Sequence, residues 1–123
     1  MIKGIGIDVT EIERFRSWHT YSPTRLKKIF SPEEITYCLS VPKKSAERFA
    51  VRFSAKEAFF KALAPLNHRH SLLKICRAVS VVTNDEFPRL SVDWALLGIS
   101  PMKAHFSLSH TRISAHAIVV LEI

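Results

Sequence analysis

The stretch Ile2-Lys3-Gly4-Ile5-Gly6-Ile7-Asp8-Val9 carries the reading of the fold. Ile5, Ile7 and Val9 recur with a period of two and share one face of a strand, while Gly4, Gly6 and Asp8 share the other. A strand face built from glycine leaves room for another backbone or for a ligand. Thr10-Glu11-Ile12-Glu13 then fits a capping box, with Thr10 as N-cap, and predicts a helix to about Trp18. Further out, Tyr21-Ser22-Pro23 breaks the chain before a short helix over 24–29. Ser31-Pro32-Glu33-Glu34 starts another, with serine as cap, proline at the first helical position and acids in the first turn. Residues 43–63 form the longest helical pattern, free of glycine and proline until Pro65, and 66–71 read as a loop. The period then changes. Residues 78–83 and 89–92 read as strands around a turn at 84–88, and Trp94 to Leu97 as a helical turn ended by Gly98. Residues 103–109 and 114–122 read as two further strands. Strand, helices, then strands is an α+β order: an N-terminal strand and helices packed on a mostly antiparallel sheet, with the first strand in the same sheet as the last.

The 123 residues suit one domain spanning 1–123, because two separate cores of that size would each be marginal. An apolar share of 47% excludes disorder. No run approaches the roughly 18–20 apolar residues of a membrane span. Asp8 and Glu11 interrupt what a signal peptide would continue, so the expectation is a cytoplasmic protein. Cys38 and Cys76 read as buried thiols of a reducing compartment. The formal charge of +7 favours an acidic partner: nucleic acid, anionic membrane, acidic protein or polyphosphate.

Three places can carry chemistry. Glu57 falls in one helical row with Phe49 and Phe53, and a carboxylate in apolar company is costly without compensation. A structural ion pair with Arg52, Lys56 or Lys61 is the ordinary explanation. Asp8 is the second unusual acid, a strand-end carboxylate on the glycine face. Two carboxylates from separate elements, with Lys61 one turn beyond Glu57, suit a Mg²⁺–phosphate site, since magnesium uses one or two carboxylates and substrate oxygens. Third is Ser107-Leu108-Ser109-His110-Thr111, where hydroxyls, imidazole and backbone N–H groups leave a strand for a turn. A Ser–His nucleophile there lacks the elbow motif. His68, His70, His105, His110 and His116 match no zinc spacing. Neither a phosphate-loop nor a dinucleotide motif is present. Trp18, Trp94, Phe59 and Phe60 read as packing residues.

Taken in order, these pieces resemble the small bacterial 4′-phosphopantetheinyl transferases, the holo-acyl-carrier-protein synthase family. MIKGIGIDVTEIER over 1–14 resembles the family's opening motif, and RFSAKEAFFKAL over 52–63 its central helix. Residues 84–88 stand at its polar turn, and HFSLSHT over 105–111 resembles its C-terminal strands. Ala64-Pro65 and Glu86 stand where the family carries glycine.

The resemblance implies transfer of phosphopantetheine from coenzyme A to a serine of apo-acyl carrier protein, with release of adenosine 3′,5′-bisphosphate, in support of fatty acid biosynthesis. It implies Asp8 and Glu57 as metal ligands for Mg²⁺; the serine hydroxyl needs a base, and Glu57, directly or through a metal-bound water, is the candidate. Lys61 would face the phosphate and stabilise the departing bisphosphate, and His110 with Thr111 would hold the coenzyme. Arg52 is expected to serve either a phosphate or an ion pair. Arg14 matches the carrier-docking position, with Arg25 and Lys28 completing a patch for an acidic carrier. A homotrimer with active sites between subunits is also implied, with no nucleic acid or membrane partner. The competing readings are a basic nucleic-acid-binding module and a purely structural oligomerisation domain.

Overall fold

The computed structural model describes residues 1–66, 69–83 and 87–123. Strand β1 (Ile2–Glu11) is followed by two 3₁₀ turns, Ile12–Phe15 and Trp18–Thr20. Helices α1 (Pro23–Leu26), α2 (Pro32–Leu39), α3 (Ser45–Leu63) and α4 (Leu72–Ala78) come next. Strands β2 (Val79–Thr83) and β3 (Pro88–Val92), helix α5 (Trp94–Leu97), and strands β4 (Lys103–His110) and β5 (Ser114–Glu122) complete the order. The order is the α+β one read from sequence. β1, β5 and β4 form one antiparallel sheet with β5 in the centre, so the first strand does share a sheet with the last. β2 and β3 form a separate antiparallel pair.

α3 is the axis of the molecule. Its Ala55, Ala58, Phe59, Ala62 and Leu63 are buried against Ala117, Val119 and Leu121 of β5 and Val79 and Val81 of β2. Its N-terminal half packs Phe49 and Phe53 with Phe15, Leu26 and Phe30 in a second cluster. The alanines let the sheet lie close. A Cβ on Gly4 would stand 1.8 Å from the carbonyl oxygen of Ala62. The room left by glycine on β1 is therefore taken by helix backbone, not by a ligand.

Local signals divide instructively. Ser31 and Glu34 form the full capping box that starts α2, and Gly98 ends α5 in the left-handed region at φ 64°. The box at Thr10 does not form. β1 runs on to Glu11, and Thr10, two residues from Asp8 on the same strand face, donates its hydroxyl to that carboxylate at 2.7 Å. Sheet pairing with β5 wins over local capping, and a 3₁₀ turn replaces the expected helix. α4 falls in a segment the sequence pattern left unassigned, although Ser71 caps it. Part of the turn at 84–88, with Glu86, and His68 in the loop lie outside the described residues. Both cysteines are buried free thiols, and burial pushes Cys38 up to about 12 and Cys76 to about 11. Trp18 stacks among Phe15, Tyr21, Phe30 and Phe49, and Trp94 on Phe59, as packing residues.

Candidate active site

β1 and α3 bring Asp8 and Glu57 together. Asp8 is 4% exposed. Its Oδ2 accepts hydrogen bonds from Thr10 at 2.7 Å and Ser54 at 2.9 Å, and its Oδ1 from Lys61 Nζ at 3.1 Å. Lys61 also donates to the carbonyl of Ile7 at 3.0 Å, with half of its side chain open to solvent. Burial alone pushes Asp8 upward. Hydrogen bonds from Glu57, Thr10, Lys61 and Ser54 outweigh it and hold Asp8 below its ordinary 3.8. Glu57 moves the opposite way. Burial, the hydrogen bond to Asp8 and the charge of Asp8 push it up to about 7, against Arg14 and Lys61. The two carboxyls are thus pushed apart in acidity: Asp8 is the one held ionised and Glu57 the one that keeps its proton longer.

The ion pair expected for Glu57 is not the one that forms. Lys56 turns away from it into the core. Its ammonium donates to Glu34 at 2.7 Å and to the carbonyls of Cys76 and Val79 at 2.8 and 2.6 Å. Lys61 pairs with Asp8 instead. Arg52 is five residues before Glu57, a rotation of about 140° around the helix. It donates to Thr83 Oγ1 at 2.7 Å and to the carbonyl of Arg48 at 3.2 Å, and it stacks on Tyr37. Its Nε is buried with no partner among the described residues.

Arg52 and His110 share a second cleft of about 230 Å³, lined also by Lys44, Arg48 and Thr83. Neither Asp8 nor Glu57 lines it. His110 Nε2 lies 3.1 Å from Glu47 Oε1. Thr111 shapes the turn beside it: its hydroxyl accepts from the amides of Ile113 and Ser114 at 3.2 and 3.1 Å.

Arg14 and Arg25 line a third cavity, of about 290 Å³, floored by Trp18, Tyr21 and Phe53. Arg14 lies over the Phe53 ring at 5.0 Å and Arg25 over Tyr21 at 3.9 Å. Lys28 is exposed on the turn after α1 and does not line the cavity. Sequence reasoning missed Ser54 and Thr10 as Asp8 ligands, although the period of two on β1 put Thr10 on the Asp8 face.

A buried carboxylate on a strand and a half-buried one on a helix, a lysine on the first and a separate basic cleft define a site for polyphosphate chemistry. Residues 4–118 match the family model of the 4′-phosphopantetheinyl transferase superfamily, and the chain belongs to that family. Among its relatives are the holo-acyl-carrier-protein synthases of Treponema denticola, 34% identical with 99% of each chain covered, and of Chlamydia muridarum, 37% identical with 98% of this chain and 94% of the other covered. The crystal structure of the Bacillus anthracis synthase in complex with coenzyme A (3′,5′-ADP) is 28% identical, superposes with a TM-score of 0.78 and covers 99% of this chain and 97% of that one. The fold is that of the family, antiparallel sheet included. No helix among the described residues is long and apolar enough to cross a membrane.

Proposed function

We propose that this chain is a magnesium-dependent holo-acyl-carrier-protein synthase, one domain over 1–123. It moves 4′-phosphopantetheine from coenzyme A to a serine of apo-acyl carrier protein and leaves adenosine 3′,5′-bisphosphate. The carrying observation is the Asp8–Glu57 pair with Lys61 on Asp8, within a chain that matches synthases along its whole length. The nucleic-acid reading has no comparable support.

The donor set suits magnesium. Two neighbouring carboxyls present hard oxygens, and a bound divalent cation would favour both of them ionised. Asp8 and Glu57 would hold the ion, which when bound neutralises charge on the coenzyme diphosphate. Glu57 accepts the serine proton, directly or through a water, as the serine oxygen bonds to phosphorus and the bond to the bisphosphate breaks. The exposed ammonium of Lys61 faces the charge that grows on the leaving bisphosphate. Arg52 and His110 hold coenzyme phosphate in their cleft, beside the turn built on Thr111.

A homotrimer with active sites between subunits fits two observations. Ile5, Ile7, Val9 and Ile118 make an exposed apolar row on the outer sheet face, with Ile7 62% exposed. Such a row marks an interaction surface. The acid pair and the Arg52–His110 cleft also open separately on one chain, so a coenzyme that reaches both would bridge two copies. Arg14 and Arg25, with Lys28 close in sequence, would meet the acidic carrier. The free buried thiols suit a cytoplasmic enzyme, and a role in fatty acid biosynthesis follows from its product.

Mass spectrometry of an apo-acyl carrier protein incubated with this chain, Mg²⁺ and coenzyme A tests the reading. A gain of one phosphopantetheine is expected. No gain across several carriers would overturn it.

A further inference from the structure

Glu47 is an acid set among bases. It stands in the first turn of α3, where the helix dipole favours a carboxylate. It lines the Arg52–His110 cleft together with Lys44 and Arg48. It also lines a neighbouring cleft of about 420 Å³ that contains Arg16, Lys43 and Arg112. A carboxylate on the wall of an anion site weakens anion binding by its charge, so it needs a reason to be there.

Its partner supplies the reason. The two arginines of the cleft already have partners that fix their orientation. Arg48 donates to the carbonyl of Tyr37 at 2.8 Å and to Ser40 Oγ at 3.0 Å and stacks on the Tyr37 ring at 3.9 Å. Arg52 is tied to Thr83 and to the same ring at 4.2 Å. His110, at the open end of β4, has no such stacking, and its side chain is 47% exposed. Among the described residues its one polar side-chain contact is Glu47, at 3.1 Å from Nε2. A carboxylate on Nε2 accepts its hydrogen, fixes the ring's rotation, and leaves Nδ1 for whatever enters the cleft.

We propose that Glu47 is a positioning residue for coenzyme A binding: it holds the His110 imidazole through Nε2 so that Nδ1 meets the coenzyme. The proposal rests on reading the Arg52–His110 cleft as the coenzyme site. Glu47 does not touch the ligand; it acts through His110. A plain surface ion pair would contribute little to stability and nothing to binding.

The test is a double-mutant cycle in calorimetric coenzyme A affinity, with Glu47→Gln, His110→Ala and both together. Glu47→Gln is expected to weaken coenzyme A binding about tenfold, the scale of one charge-assisted hydrogen bond. In the His110→Ala background the same change is expected to cause no loss, and a small gain as the acid's repulsion goes, because nothing remains to position. Glu47→Asp, which keeps the carboxylate, recovers part of the affinity. The ¹⁵N signals of the His110 ring report orientation independently: the Nε2 signal moves in Glu47→Gln. Unchanged affinity in Glu47→Gln overturns the proposal. So does an equal loss with and without His110, or an unmoved His110 signal. The synthase reading fails differently, through a wild-type chain that binds coenzyme A and modifies no carrier.

Discussion

A Cβ on Gly6 would stand 1.8 Å from the carbonyl oxygen of Ala58. β1 and α3 thus meet backbone to backbone, and this contact fixes the separation of Asp8, two residues past Gly6, from Glu57, one residue before Ala58. Gly6→Ala has to push strand from helix. It is expected to cost about 3 kcal/mol or more and to lower transfer disproportionately, because the acid pair is pulled apart. Gly98→Ala is the control. It meets no atoms but keeps a left-handed φ, so it should cost about 1–2 kcal/mol and leave turnover intact. Urea unfolding and carrier modification read both. A Gly6→Ala chain with wild-type midpoint and turnover would show that the close approach does not set the site.

Lys56 and Glu34 are both wholly buried; the ammonium donates three hydrogen bonds and the carboxylate accepts three. Lys56 joins α2, α4 and β2 to α3 through one ammonium. Lys56→Met strands the Glu34 carboxylate without its cation and is expected to cost about 3–5 kcal/mol. Adding Glu34→Gln should return part of that loss, since it removes the stranded charge. A double variant as unstable as the sum of the singles would argue against direct coupling.

The metal-free protein should lose stability between about pH 4.5 and pH 7 through Glu57. Unfolded, the residue releases its proton near 4.5; folded, it keeps it to about 7. The folded state therefore holds the extra proton in that window, and stability falls as pH rises through it. Asp8 has the opposite sign, but its window lies below 3.8, where its contribution is lost as pH falls. Thermal unfolding in a chelator between pH 5 and pH 8 is expected to show a falling midpoint, flattened in Glu57→Gln. Excess Mg²⁺ should reverse the trend, because the ion binds the deprotonated pair.

How far the sequence reached follows from the range of each interaction. Asp8, Glu57 and Lys61 were legible because their oddity is local: an acid on a glycine face, and an acid in a phenylalanine row with lysine one turn on. The capping box at Ser31 was legible for the same reason. Thr10 carries the same local pattern and fails, since pairing with β5 through Ala115 extends the strand past it. Lys56 could be suspected of pairing with Glu57 only by proximity; its true partner is 22 residues away and reached through the core. That Arg52 leaves α3 in a different direction from Glu57 follows from helix rotation and is implied by their spacing. The link between Glu47 and His110 joins the first turn of α3 to the end of β4, and no spacing announces it.

The proposed docking patch includes two residues, Arg14 and Arg25, with different readouts. Arg25 stacks on Tyr21 and has no part in the acid pair, so Arg25→Glu should raise the KM for an acidic carrier severalfold and leave kcat unchanged. The effect should shrink as salt rises, since it acts between exposed charges. Arg14 does more. Its charge acts on Glu57 against the upward push of burial and Asp8. Arg14→Glu should therefore raise the carrier KM and also move the titration of Glu57 in the metal-free protein further up, to higher pH. Steady-state kinetics at several salt concentrations, paired with a carboxyl titration followed by NMR in a chelator, distinguishes the two. If Arg25→Glu moved that titration as much as Arg14→Glu, or if neither changed the carrier KM, the patch would lie elsewhere on the surface.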